Sequence, residues 1–212
     1  MPNYYEKITT PLSDEEFHKG MDKGPFYAVP QHPGYVAFIH YTALRCSEAL
    51  SLKRKDFRLT DTNLMVTVAF PKEQKKRVKK LDGSVEVVKT GKIVMERFKH
   101  SKQTPPLPLS LDLPYMNFIL DSLKDLQPED RVWPYCRKTG YNIVHRVFQY
   151  PHYHRLSRIT WFFQPHPEID RPQGFSIAEV RSWTGLSLKA LDYYVGLVGI
   201  ERMGASLVMA KK

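Results

Sequence analysis

Four residues that are far apart in the chain have side chains that could act together on an anionic substrate: Arg45, His152, Arg155 and Tyr194. A guanidinium offers a rigid fork of donors and stays charged, so it suits the binding of anions. A histidine can transfer a proton near neutral pH, and a tyrosine oxygen can become a nucleophile once it is activated. Each residue also has an ordinary structural explanation, which for Arg45 is a surface ion pair with Glu48.

The charge balance of the chain favours a polyanionic partner. Its 212 residues include 32 Lys and Arg against 22 Asp and Glu, which gives a formal charge of +10 and a pI of about 9.5. Such a balance most often indicates nucleic acid. A hydrophobic content of 42% is typical of a globular protein, and the length suits one compact domain.

Two features of the chain bear on its compartment. The cysteines Cys46 and Cys136 have no metal-ligand spacing, so a reducing, intracellular setting is expected, with no metal and no other cofactor. The first residues lack the basic segment and apolar core of a signal peptide, and no apolar window approaches a membrane-spanning length. We therefore expect a cytoplasmic, nucleoid-associated protein, or one in the cytoplasm of a host cell, with no membrane partner.

Hydrophobic periodicity predicts helices in the first quarter of the chain. A capping box formed by Ser13 and Glu16 should start a short helix that ends near Lys19. Apolar residues then recur at helical spacing over residues 35–44, and Ser47 could cap a further short helix.

The second half of the chain also has helical patterns. Residues 111–126 form one such stretch, with Asp112 as its expected cap. Residues 175–197 form another, after a proline-rich insert over residues 164–174.

Between these helices the period changes to that of a strand. Leu64, Val66 and Val68 alternate with polar or smaller residues, and Asp82-Gly83 is a hairpin signal. The order of helices, a small antiparallel sheet and further helices predicts an α+β fold that is mainly helical.

A basic run over residues 72–80, KEQKKRVKK, lies just before the hairpin turn. It could bind DNA phosphates, or it could be a solvated hairpin tip, and the two interpretations are compatible. The candidate DNA-binding residues are Lys75, Lys76, Arg77, Lys79 and Lys80.

Five segments resemble motifs of the tyrosine recombinases, the phage integrase family. TALRCSEALSL at residues 42–52 resembles the family's TGLRISELLxL box, and PHYHRLSRIT at 151–160 resembles its PHxLRHTFAT box. FKHSKQTPPLPL at 98–109 looks like the family's hairpin lysine and the strand after it. VWPYCRKTG at 132–140 is similar to its LFPxxxGxP turn, and VRSWTGLSLKALDYYV at 180–195 resembles its closing LLGHSSxxTTxxYxxV box. The order and spacing of the segments make the resemblance strong.

The resemblance implies a reaction and a set of catalytic residues. In the family a tyrosine oxygen attacks a DNA phosphodiester, the 5′ hydroxyl leaves, and a 3′-phosphotyrosine forms that another strand's hydroxyl later attacks. The residues implied for this chemistry are Arg45, Lys99, His152, Arg155 and Tyr194.

One arginine assignment has a neighbour that also fits. Arg158 follows His154 at a histidine-x-x-x-arginine spacing, whereas Arg155 follows His152 at the spacing of the family box. We prefer the second pair, and Arg158 then has a contact with a backbone phosphate as its expected role.

The lysine and the tyrosine assignments have alternatives as well. Lys102 is the alternative to Lys99 because the segment is rich in lysine. Tyr193 is the alternative to Tyr194. Counted from Gly185, Tyr193 lies two residues short of the family spacing and Tyr194 lies one residue short.

One position departs from the family pattern. Leu186 stands where the family usually has a histidine or tryptophan that donates a hydrogen bond to the phosphate. Trp183, one turn earlier, is expected to be a core aromatic, although its indole could substitute if the register slips. This departure favours an alternative in which the protein binds DNA without cutting it.

The resemblance also implies a domain organisation. We expect an N-terminal lead at residues 1–11, the tyrosine-recombinase catalytic domain at 12–197 and a C-terminal tail at 198–212. The N-terminal core-binding domain of complete members is expected to be absent.

The expected function is that of a site-specific recombinase or integrase of a mobile element, from an archaeal or viral member of the family. Its partners would be double-stranded DNA and, by the resemblance, further copies of itself in a synaptic tetramer. The alternatives are a non-cleaving DNA-binding protein of recombinase descent and a type IB topoisomerase-like enzyme.

Overall fold

A computed structural model describes residues 11–24, 29–68, 70–79, 83–96, 106–148, 151–167 and 171–196. Its helices are α1 (Asp14–Asp22), α2 (Gln31–Thr42), α3 (Cys46–Ala49), α4 (Met116–Asp121), α5 (Arg137–Phe148), α6 (Pro151–Phe163), α7 (Ile177–Thr184) and α8 (188–196). Its strands are β1 (Phe57–Leu59), β2 (Asn63–Val66), β3 (Phe70–Lys79), β4 (Val85–Glu96) and β5 (Leu107–Ser110).

Helix α2 lies at the centre of the core. Its residues from Pro33 to Thr42 are all buried, and it packs against both α4 and α6. A helix that is apolar all round needs such cover on every face. It ends at Ala43, which adopts a left-handed conformation with φ of 57°. The chain therefore turns sharply here and carries Arg45 out of the core.

The strands form two separate antiparallel sheets. The first has the order β1-β2-β5, and its register pairs Phe57 with Val66 and Val66 with Leu107. These three side chains are buried, as the two-residue period of a half-covered sheet requires. The second sheet is the β3-β4 hairpin, and its turn includes Gly83 at φ of 82°. This confirms the hairpin predicted at Asp82-Gly83.

The chain between α4 and α5 is fixed to the core by Trp133. Its side chain is fully buried and packs against Tyr35, Phe38 and Phe57, with ring centroids 5.7, 4.7 and 6.2 Å away. Aromatic residues of this size dominate core energetics. Trp133 thus sets the position at which α5 begins.

The described elements confirm the mainly helical α+β fold that the sequence predicts. The capping box is also confirmed, since Ser13 Oγ accepts from the Glu16 N–H and the Glu16 carboxylate accepts from the Ser13 N–H. Helix α1 runs to Asp22, three residues beyond the predicted end. Among the described residues, no helix is long and apolar enough to cross a membrane.

The prediction of one helix over residues 111–126, capped at Asp112, is wrong. Helix α4 covers Met116–Asp121 only, and its N-cap is Tyr115 in a left-handed conformation. The Tyr115 hydroxyl donates to Asp22 Oδ1 at 3.1 Å, so contact with α1 holds this conformation. A second left-handed residue, Asp125, follows the helix.

The helical pattern predicted over residues 175–197 is confirmed up to residue 196, the last residue described there, but it forms two helices, α7 and α8. Gly185 has φ of 66° and ends α7, and the chain re-enters helical conformation at residue 188. A glycine adopts this conformation without steric cost, which is why it commonly ends helices. The break lets α8 take its own direction.

A pair of histidines is buried between α2 and α6. The Nδ1 atoms of His40 and His154 are 3.2 Å apart, and the ring of Phe17 stacks on His40 at a centroid distance of 3.7 Å. One Nδ1 must donate and the other accept, so the two rings cannot both be protonated on both nitrogens. Burial lowers the pKa of His154 to about 3 and holds the pKa of His40 well below its usual range.

We expect the histidine pair to make folding pH-dependent below neutrality. Because the folded pKa of His154 lies below its ordinary value of 6.5, its contribution is complete above pH 6.5 and is lost as the pH falls towards 3. The free energy of unfolding should fall by about 1.4 kcal/mol per pH unit, or about 2 kcal/mol at pH 5. Urea unfolding of wild type and His154→Gln between pH 7 and 5 measures this. The variant should have the shallower slope, and His145→Gln on the exposed face of α5 should match wild type.

We also expect Gly34→Ala to destabilise the fold. A Cβ at Gly34 would collide with the backbone carbonyl oxygen of Phe118 in α4. The close approach of α2 and α4 must then widen, at a cost of about 1–3 kcal/mol. Chemical denaturation provides the measurement, and Gly196→Ala in α8 is the matched control because a Cβ there meets no atom within 4 Å. If both variants are as stable as wild type, α2 and α4 do not need this contact.

Candidate active site

A cleft of about 800 Å³ opens between α3, the start of α5, α6 and α8. It brings together Arg45, His152, Arg155 and Tyr194, four of the five catalytic candidates from the sequence. These residues come from segments that are separated by up to about 150 positions in the chain. The polar lining residues are Arg45, Cys46, Ser47, Arg137, Tyr141, His152, Arg155, Tyr193 and Tyr194.

Arg45 lies at the rim of the cleft as the N-cap of α3. Its backbone N–H donates to Glu48 Oε2 at 2.7 Å, and its guanidinium pairs with Glu48 Oε1. The helix therefore begins at Cys46, and the predicted cap at Ser47 is wrong, since Ser47 lies inside the first turn. The Arg45 side chain remains 53% exposed. Arg45 thus forms the ion pair with Glu48, and its guanidinium is at the same time partly exposed in the cleft.

Arg155 lies at the floor of the cleft and is almost fully buried. Its guanidinium donates to the carbonyl oxygens of Ala43 and Thr184, the second at 2.9 Å. It also lies 3.5 Å from Glu48 Oε2. These partners fix the guanidinium plane, because a planar fork of donors has little freedom once several are used. Burial lowers the pKa of Arg155 to about 10, so it stays charged at neutral pH.

Glu48 neutralises part of the charge of the two arginines. Its side chain is 3% exposed, and its two carboxylate oxygens face Arg45 and Arg155 separately. A buried carboxylate is stable only with such partners. Glu48 therefore holds two guanidinium groups near each other, which would otherwise repel.

His152 lies at the first turn of α6 and lines the cleft, where it is only partly exposed. Partial burial, together with the charges of Arg155 and Arg45, lowers the pKa of His152 below its usual value. The imidazole is therefore neutral at pH 7 and able to accept a proton. His154, the alternative histidine, is fully buried in its pair with His40 and does not line the cleft.

The two adjacent tyrosines of α8 have different surroundings. Tyr194 is 6% exposed and Tyr193 is 52% exposed, although both line the cleft. Burial raises the pKa of Tyr194, and the Arg155 and Arg45 guanidinium groups beside it oppose that shift. Two neighbours on a helix diverge by about 100°, so the buried one faces the arginines.

Arg158, the alternative arginine, lies outside the cleft. Its Nε donates to the Tyr41 carbonyl at 2.9 Å, and its guanidinium stacks over the ring of Trp161 at 3.7 Å. Burial lowers the pKa of Arg158 to about 10. These contacts give it a packing role between α2 and α6.

Leu186 and Trp183 do not place a hydrogen-bond donor in the cleft. Leu186 is buried, and Trp183 packs its indole against Phe162 and Phe175 with centroids 5.5 and 5.4 Å away. In the part of the chain that the structure describes, the Trp183 Nε1–H has no hydrogen-bond partner. Trp183 is therefore a core aromatic, as the sequence indicates.

Some predicted site residues cannot be placed in this way. Lys80, Lys99 and Lys102 lie outside the described residues. Lys75, Lys76 and Lys79 have assigned register positions in β3, and Arg77 in the same strand is exposed.

The cleft also contains residues that the sequence analysis did not select. Arg137 begins α5 and Tyr141 lies one turn later, so both fall on the same face of that helix. Ser47 and Cys46 follow Arg45 directly. Arg137, the last residue of the VWPYCR segment, could have been noticed in the sequence. The helix dipole disfavours a cation at the N-terminus of a helix, so an arginine there needs another explanation, such as binding an anion.

The solved structures that are similar to this chain include two complexes of the XerH site-specific recombinase. The post-cleavage complex with palindromic difH substrate aligns with 98% of this chain and 55% of the recombinase chain, at a TM-score of 0.56 and 17% identity. The pre-cleavage complex with difH substrate aligns with 87% and 49%, at a TM-score of 0.51 and 18% identity. The chain thus spans about half the length of these recombinase chains. Protein-family models and curated proteins gave no match. The chain has the fold of a tyrosine-recombinase catalytic domain.

Proposed function

We propose that this chain is a site-specific DNA recombinase or integrase that cuts and rejoins DNA through a 3′-phosphotyrosine intermediate. The observation that carries the proposal is the position of Tyr194 on the cleft wall beside Arg155 and Arg45. A tyrosine next to two guanidinium groups is suited to attack on a phosphodiester, because the same cations hold the phosphate and the developing charge. The similar structures are of a recombinase bound to its DNA substrate, which supports DNA as the substrate class.

In the proposed reaction the Tyr194 oxygen attacks the phosphorus and forms a phosphotyrosine bond. The bond from phosphorus to the 5′ oxygen breaks at the same time. The Tyr194 proton passes to His152, which is neutral before the reaction because its pKa is lowered. The leaving 5′ oxygen takes a proton from Lys99, or from Lys102 as the alternative. Attack by a 5′ hydroxyl reverses these steps and rejoins the strand.

The two arginines would have different tasks. Arg45 is exposed enough to contact an incoming phosphate, whereas Arg155 is held by backbone carbonyls and would stabilise charge without moving. Fixed donors of this kind stabilise a transition state well, because they need no reorganisation during the reaction. Arg137 would extend the cationic lining of the cleft towards a neighbouring phosphate.

Leu186 favours a second candidate function. Since neither Leu186 nor Trp183 supplies a donor to the cleft, the site lacks one phosphate ligand that the family resemblance implies. A protein with this site could bind DNA and not cut it. A covalent adduct with DNA distinguishes the two candidates.

The first expected outcome concerns the nucleophile. Duplexes with a nick and a randomised central sequence let the short cleaved strand diffuse away, so a covalent adduct accumulates and survives SDS. Wild type and Tyr193→Phe should form the adduct. Tyr194→Phe should form none and still bind DNA, because only one oxygen is removed. If peptide mapping finds the adduct on Tyr193, the nucleophile is Tyr193 and not Tyr194. If wild type forms no adduct, the result favours a protein that binds DNA without cutting it.

The second expected outcome concerns the phosphate ligands. Arg45→Lys and Arg155→Lys should each slow adduct formation by about 10²–10³-fold, or about 3–4 kcal/mol, with a smaller loss of DNA affinity. Arg158→Lys is the matched control on the same helix, and it should keep its cleavage rate because Arg158 lies outside the cleft. Circular dichroism at the assay temperature checks that Arg155→Lys is folded. If the two cleft variants cleave as fast as wild type, the arginines do not hold the scissile phosphate.

A further inference from the structure

The outer half of the β3-β4 hairpin is exposed on both faces. Val78 and Val88 are 42% and 43% exposed, and Val85 and Val87 are both 53% exposed. Valines normally lie in strands with at least one face covered. Within the described residues, this ribbon is a separate two-stranded sheet that is not hydrogen-bonded to β1, β2 or β5.

The register places most of the basic residues in the outer half of the ribbon on one face. Cross-strand partners share a face, and successive residues alternate between faces. The pairs 75↔89, 77↔87 and 79↔85 fall on one side, and the pairs 76↔88 and 78↔86 fall on the other. We call the first the basic face, and its residues are Lys75, Arg77, Lys79, Val85, Val87 and Lys89. The opposite face consists of Lys76, Val78, Glu86 and Val88.

The two faces therefore differ in charge. The basic face has four cationic residues and no acidic one, whereas the opposite face has one lysine and one glutamate. An alternating pattern of this kind concentrates positive charge on one side of a thin ribbon. The charge points to a polyanionic partner for the basic face.

The shape and the chemistry of the basic face fit the major groove of DNA. The major groove is about 12 Å wide and admits a two-stranded ribbon, whereas the minor groove is only about 6 Å wide. Lysine and arginine can bind phosphates and guanine edges, and apolar side chains contact the thymine methyl group. The valines of the basic face are both about half exposed and are suited to that last contact.

The ribbon also contacts a helix that lines the cleft. Strand β3 packs against α3, the short helix whose N-cap is Arg45. The ten residues of β3 rise by about 3.3 Å each, so the strand spans roughly 30 Å. A duplex held at the cleft thus lies within the reach of the ribbon.

We propose that the β3-β4 ribbon enters the major groove of the DNA next to the cleft, with its basic face towards the base edges. This inference rests on the proposed function in one respect, because it takes DNA as the occupant of the cleft. It goes further by assigning a groove, a face and the side chains that contact the bases. Cleavage chemistry has no part in it.

The test compares adjacent residues on opposite faces. Val87→Glu and Val88→Glu each add one acid at adjacent valines of similar exposure on opposite faces, and Arg77→Gln removes one charge from the basic face. Binding is measured by fluorescence anisotropy on a random-sequence duplex and on the same duplex with glucosylated 5-hydroxymethylcytosine, which fills the major groove and leaves the minor groove and phosphates unchanged.

Wild type should bind the glucosylated duplex about tenfold more weakly, as for the loss of one good base contact. The basic-face variants Arg77→Gln and Val87→Glu should bind the plain duplex more weakly and lose most of this discrimination. Val88→Glu on the opposite face should keep it. The salt slope of Arg77→Gln should also be smaller by about 1 if the residue contacts a phosphate as well.

Three results would overturn the ribbon proposal: equal effects of the two faces, no discrimination by wild type, or altered sedimentation of the ribbon variants with unchanged DNA binding. The last result would assign the ribbon to self-association. The adduct assay keeps the two proposals separate. Adduct formation without face dependence would contradict the ribbon proposal alone, and face-dependent binding without adduct would contradict cleavage alone.

Discussion

The buried guanidinium of Arg155 is the interaction on which the site depends. It donates to the carbonyl at the end of α2 and to the carbonyl at the end of α7, and it faces the carboxylate of Glu48 in α3. Both carbonyls belong to the last turn of a helix, where backbone acceptors have no partner within the helix. Ala43 and Gly185 adopt left-handed conformations at these two ends, so the chain turns away and leaves the carbonyls accessible. One side chain thus joins three helices and at the same time supplies a fixed positive charge to the cleft.

This arrangement explains why the cleft contains one exposed and one buried arginine. A buried cation needs several partners, and the partners of Arg155 immobilise it. Arg45 has Glu48 as its main partner, and about half of its side-chain surface is exposed to solvent. It can therefore still rearrange around a ligand. The Tyr194 hydroxyl lies beside both. Burial raises the pKa of Tyr194, and the charges of Arg155 and Arg45 oppose that shift. A phosphate bound between the two arginines would offset part of their charge and so change the pKa of Tyr194.

Much of this site could be predicted from the sequence because its residues lie in short local patterns. Arg45 and Glu48 are three residues apart in one turn, and His152 and Arg155 have the same spacing on α6. The helix boundaries could not be predicted as well, because they depend on contacts between distant segments. Tyr115 adopts a left-handed conformation that its bond to α1 holds, and nothing in the local pattern around it signals that bond. Burial of His154 depends in the same way on residues more than a hundred positions away.

The core around α2 and the β3-β4 ribbon differ in how strongly packing constrains their sequences. Around α2 every face is covered, and single atoms matter, as the contact between Gly34 and α4 illustrates. The outer half of the β3-β4 ribbon has exposed valines on both faces, so packing constrains its sequence less and charge can alternate with valine there. A stretch of chain that folds with little core keeps exposed apolar side chains only at a cost in solubility. Lysines on the edges of such a ribbon reduce unwanted pairing with other strands, and the same lysines make it a surface for polyanions. The ribbon is therefore the part of this fold in which sequence can change the partner without changing the core.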